Sequence, residues 1–110
     1  MANKYLRKYL TPSSATETTL YTTPAANSAV VSSLRVTNDN ASTSNISVTL
    51  YPEGGATPYK MLKTYVLPTS QTLDAFSGVP LVMQAGDVLK VTASTADVDF
   101  WLSYLEMDRT

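Results

Sequence analysis

Apolar and polar residues alternate along this chain in short runs separated by turn-forming clusters. Side chains of an extended chain point to opposite sides in turn, so such a run reads as a strand with one buried face. The clearest spans Ala29 to Asn38: Val30, Ser32, Leu34 and Val36 share one side, and Val31, Ser33, Arg35 and Thr37 the other. Ile46, Val48 and Leu50 alternate with Ser47, Thr49 and Tyr51 in a second run, and Val88 to Ala93 form a third. Thr18 to Thr22 is a short strand ended by Pro24. Tyr59 to Leu67, stopped by Pro68, has a poorer pattern that also fits a helical turn at Lys60–Lys63. Thr72–Phe76 and Pro80–Met83 are short. Asn, Asp, Gly, Pro and Ser cluster at 24–28, 38–42, 52–58, 85–87 and 94–97, where the chain must turn. Roughly seven to nine short strands with a turn about every ten residues predict an all-β fold, an antiparallel β-sandwich of jelly-roll or immunoglobulin-like type.

The final strand is unusual. Phe100, Leu102 and Tyr104 fall on one side, and Trp101 and Leu105 on the other, so both faces are apolar. A single core accounts for one face. The second must meet the N-terminal segment of the same chain or another subunit. Tyr5 to Leu10 carries apolar residues at helical spacing, but its tyrosines and Thr11-Pro12 favour an extended arm. The expected organisation is therefore an arm over residues 1–16 and one sandwich domain over 17–110. The candidate interface residues are Tyr5, Leu6, Arg7, Tyr9, Leu10, Trp101 and Leu105.

Composition narrows the chemistry. At 110 residues the chain has room for one domain. It contains no histidine and no cysteine, which removes Ser-His-Asp and Cys-His catalysis, histidine metal sites, thiol chemistry and disulfides. Neither an S-x-x-K spacing nor a phosphate loop occurs. Asp97 and Asp99, with Asp39 or Asp87, offer hard oxygen ligands for calcium, but carboxylates at hairpin tips ordinarily serve turns. No enzyme, cofactor or metal is expected. The net charge of −1 gives no field toward nucleic acid or membrane. Charge is uneven, however: Lys4, Arg7 and Lys8 precede the first acid, Glu17. The start lacks the apolar stretch of a secretory signal, and no run is long enough for a membrane span. Seven tyrosines and one tryptophan against two phenylalanines suit interfaces, and they also suit sugar stacking.

Two blocks carry a resemblance. The first runs Leu20-Tyr21-Thr22-Thr23-Pro24, then Ala29 to Asn38, then Ile46 to Tyr51. The second runs Leu81 to Ser94, with Ala85-Gly86-Asp87 at its turn, and closes on Val98 to Leu105. Together, over about residues 18–105, they resemble small structural proteins of tailed-phage virions, a group rich in cyanophage and marine-phage members. The resemblance implies a β-sandwich that works as part of a particle, assembled in the host cytoplasm, and it brings no catalytic residues. On this basis the expected role is a capsid decoration (cement) subunit. It would associate with itself, a trimer being favoured, and bind the major capsid protein or another virion protein. A tail, neck or baseplate component is the alternative within the virion. A carbohydrate-binding β-sandwich module is the alternative of another class.

Overall fold

A computed structural model describes residues 3–108. Nine strands follow in order: β1 Asn3–Leu10, β2 Thr18–Thr22, β3 Asn27–Asn38, β4 Ser44–Tyr51, β5 Tyr59–Leu67, β6 Thr72–Asp74, β7 Leu81–Met83, β8 Val88–Ala93 and β9 Val98–Asp108. One 3-10 turn at Pro52–Gly54 interrupts them. All pairings are antiparallel. The first sheet runs β1-β9-β3, with β6 and β7 in tandem along the far side of β3; the second runs β2-β8-β4-β5.

The two sheets pack as a sandwich because their facing sides are apolar. Val98, Phe100, Leu102 and Tyr104 of β9, Ile46 and Val48 of β4, and Leu89, Val91 and Ala93 of β8 meet in one buried cluster. Full burial of a Val, Leu, Ile or Phe side chain contributes about 1.5–3 kcal/mol, so this cluster dominates the stability. The segment 60–63 is strand, not a helical turn: β5 pairs with β4, with register shifts along the pair.

In β3 the simple alternation fails at one point. Pairing with β9 steps from Val31↔Tyr104 to Ser33↔Ser103, leaving Ser32 as an extra residue whose Oγ donates to the Ser103 carbonyl at 3.0 Å. A bulge of this kind shifts the side-chain phase by one residue. Ala29 and Val31 are therefore buried together with Leu34 and Val36. Val30, expected on the side of Leu34 and Val36, faces out.

The turns explain why the two sequence blocks occur together. Gly86 has φ +84°, a left-handed conformation that a side chain would strain. Its N–H donates to the Thr23 carbonyl at 2.9 Å, and Thr23 N–H donates to the Asp87 carbonyl at 2.9 Å. The Asp87 carboxylate is buried and accepts from the N–H groups of Gln84 and Glu53, each at 2.9 Å. One carboxylate thus fixes the turn that carries the chain from β7 in the first sheet to β8 in the second, and the loop after β4. Asn38, also buried, donates to the carbonyls of Ser42 and Leu67 and accepts from Asn40 N–H, all at 2.9 Å.

The N-terminal segment is extended, as expected, but it lies in the sheet. All eight residues of β1 pair with β9 in unbroken register, from Asn3↔Met107 to Leu10↔Phe100. Among the described residues, no arm stands away from the sandwich.

Candidate interaction face

Directly opposed residues of an antiparallel pair share a face, so the strand registers define the outer surface of the first sheet. One row runs Tyr5, Leu105, Val30, Val82 across β1, β9, β3 and β7. A second runs Arg7, Ser103, Ser33, and a third Tyr9, Trp101, Arg35, Asp74. Three of the four residues in the first row are aliphatic. Tyr5 is 87% exposed, Val82 and Tyr9 are each 62% exposed, and Trp101 is 44% exposed.

The aromatic part of this face is organised. The rings of Tyr9 and Trp101 stack with centroids 5.4 Å apart and planes 15° from parallel. The Arg7 guanidinium lies over both, 5.5 Å from the Tyr9 ring and 5.4 Å from the Trp101 ring. Such contacts contribute about 0.5–1.5 kcal/mol each for a stacked pair and about 0.5–1 kcal/mol for an exposed cation over a ring. Beside them, Tyr5, Leu6, Arg7, Ser32, Ser103 and Tyr104 line an open depression of about 570 Å³. At the other end Thr11 Oγ1 donates to Asp99 Oδ1 at 2.7 Å.

Five of the seven candidate interface residues, Tyr5, Arg7, Tyr9, Trp101 and Leu105, therefore belong to one face. Leu6 and Leu10 sit at the alternate positions of β1, opposite Tyr104 and Phe100. Leu10 packs against the core, whereas Leu6 remains exposed. Sequence reasoning missed Val30 and Val82. The bulge at Ser32 reversed the phase of Val30, and Val82 sits in a three-residue strand too short to show a period.

Among the described residues no three His, Cys, Asp or Glu side chains lie close enough to hold a metal ion. Asp99 accepts from Thr11, and Asp87 is committed to backbone N–H groups on another part of the fold. The titration shifts have structural causes. Burial first, then a 2.7 Å hydrogen bond donated to Glu106, holds the Tyr21 hydroxyl well above the ordinary tyrosine range. Burial also raises Tyr104, whose ring centroid is 4.4 Å from that of Tyr21. The hydrogen bond to Glu17 raises Tyr51. No helix among the described residues is long and apolar enough to cross a membrane.

No protein-family model matches the chain, and no curated protein matches it. Solved structures do. A protein of Bacillus endospore appendages, described as a novel family of disulfide-linked pili, superposes with a TM-score of 0.59 at 13% identity, over 99% of this chain and 88% of that one. A pentameric capsid protein isolated from metagenomic phage sequences gives 0.45 at 20% identity, over 91% of this chain and 59% of that one. The infectious bursal disease virus Gt strain gives 0.48 at 12% identity, over 94% of this chain and 32% of that one. The pilus likeness is one of fold, and the two viral likenesses are too distant to add to it. This chain has no cysteine, so it cannot form the disulfide links that the pilus family is described by.

Proposed function

We propose that this chain is a non-enzymatic structural subunit of a tailed-phage virion, a capsid decoration protein that associates with itself and binds the shell through the outer face of its first sheet. The observation that carries the proposal is the Tyr9–Trp101–Arg7 cluster lying beside the Tyr5–Leu105–Val30–Val82 row. Apolar and aromatic side chains gathered on one outer face in this way mark an interaction site, and Tyr, Trp and Arg are the residues that most often anchor interfaces. The two-block resemblance supplies the virion, and the sharing of the sandwich by a pilus protein is compatible with a repeating assembly. A trimer bound to the major capsid protein is the working arrangement.

The magnitude is sufficient for a lattice. A Trp side chain has about 250 Å² to bury. The 44% left uncovered on Trp101 is then about 110 Å², or about 2–3 kcal/mol at 25 cal/mol per Å². Repetition over many sites turns contacts of this size into stable attachment. The test is binding to particles that lack the protein. Trp101→Ser should lower affinity per subunit by about a hundredfold, and removal of residues 1–12 should abolish decoration. Wild-type occupancy for both variants would refute the proposal. The stacked, exposed Tyr9 and Trp101 rings also favour a second reading, a carbohydrate-binding module. That reading predicts a monomer by light scattering, with glycan binding lost in Trp101→Ser.

A further inference from the structure

We propose that β1 is an exchangeable strand: in the assembled state it leaves its own β9 and pairs with β9 of a second copy. This rests on the self-association proposed above and names the element that carries it. The first observation is burial. Every other strand longer than three residues buries at least one side chain, whereas seven of the eight residues of β1 are exposed and Leu10 is only half-buried. The sheet pairing of β1 among the described residues is with β9, and its contact with β2 is slight. Releasing it withdraws no fully buried side chain and uncovers the core where half-buried Leu10 packs against it.

The linker is the second observation. Residues 11–17 join β1 to a strand of the opposite sheet, and within them Ala15 is held at φ +57°, where its side chain crowds the backbone. Ala15 N–H is fixed to the Ala93 carbonyl at 2.8 Å. Straightening the linker gives up that bond, the Ser14 hydroxyl's bond to the Ser94 carbonyl at 3.0 Å and the Thr16 N–H bond to the Ser13 carbonyl at 3.1 Å, and it relieves the strain. Short strained linkers favour exchange of the element they hold, and exchange reuses the contacts of the closed form.

Charge selects the partner. Lys4, Arg7 and Lys8 give β1 a charge of +3, leaving −4 on the rest of a chain whose total is −1. Joining two β1 strands by their free edges with faces matched would set Arg7 against Arg7, or Lys4 against Lys8, and like charges directly opposed destabilise a sheet. Pairing with β9 of another copy instead sets Lys4 against Glu106, as in the closed chain.

The absence of native cysteine makes the test direct. Arg7 and Ser103 are register partners, so Arg7→Cys and Ser103→Cys are prepared as separate proteins, mixed under assembling conditions and oxidised. The expected result is a covalent dimer joining one chain of each kind. Arg7→Cys mixed with Thr92→Cys, which lies on the other sheet, should give no such product. Ala15→Gly should lower the yield about fivefold by easing the closed form. If Arg7→Cys or Ser103→Cys disturbs folding, Tyr5→Cys with Leu105→Cys probes the same ladder. Should a chain carrying both Arg7→Cys and Ser103→Cys close only on itself and the mixed single variants fail to join, while light scattering still finds oligomers, exchange is overturned and self-association stands. If oligomers are absent as well, both proposals fall.

Discussion

Replacing Asp87 by alanine removes two hydrogen bonds that its carboxylate accepts from backbone N–H groups. Oδ1 accepts from Glu53 N–H and Oδ2 from Gln84 N–H, each at 2.9 Å, and the residue is 8% exposed. Hydrogen bonds to a charged acceptor contribute about 1.5–3 kcal/mol each. Both N–H groups are only partly buried and regain some hydration, so the lower half of that range applies, and the expected loss is about 3–4 kcal/mol. The backbone bonds Asp87 N–H to Gln84 and Thr23 N–H to Asp87 survive the change, so the turn between β7 and β8 weakens without coming apart. With a urea slope of about 2 kcal/mol per M for a small domain, the midpoint should fall by about 1.5–2 M. Asp87→Asn keeps one acceptor oxygen but points an amide N–H₂ at the second donor, and should fall at least half as far. Urea unfolding followed by tryptophan fluorescence reads all three proteins through Trp101. If both variants melt within about 0.5 kcal/mol of the wild type, the range expected of an inert surface change, the carboxylate does not hold the two loops together.

Asn38→Ala should cost about 2–4 kcal/mol, because it leaves the buried carbonyl of Leu67 without its donor and removes three bonds at once. A thermal melt lowered by less than a few degrees would contradict that. For Tyr21, burial and Glu106 favour the protonated hydroxyl in the folded chain. A raised folded pKa gives stability that is complete below the unfolded value near 10 and is lost as pH rises above it. Denaturation between pH 8 and pH 11.5 should therefore show stability falling from about pH 10 in the wild type and falling less steeply in Tyr21→Phe. Equal slopes would rule the assignment out.

Strand positions were legible in the sequence wherever a period of two ran long enough to be read. β2, β5 and β8 have the expected limits, and β9 differs only at its C-terminal end. The double-sided character of β9 was legible too, since Trp101 and Leu105 cannot enter the core that takes Phe100, Leu102 and Tyr104. Val30 was misplaced because a bulge needs a partner strand to define it, and its signature is a register step between Val31 and Ser33 that depends on β9. Leu6 lies on the other side of β1 from Tyr5 and Tyr9, and the mixed apolar spacing of that segment does not distinguish its two sides.

By itself, the amino-acid order dictated an all-β chain with defined turns, one core, no histidine or thiol chemistry, and a surplus of apolar side chains at its end. Those properties are local: they follow from alternation, from turn residues and from which side chains exist. Long-range pairing decided the rest. Hydrogen bonding of β1 along β9 brought Tyr9 and Arg7 beside Trp101, from opposite ends of the chain. Pairing of β3 between β9 and β7 extended the apolar row to Val82. A strand's own sequence states which of its faces is greasy, but which neighbour lies alongside depends on contacts between residues some 90 positions apart, and no local pattern encodes them.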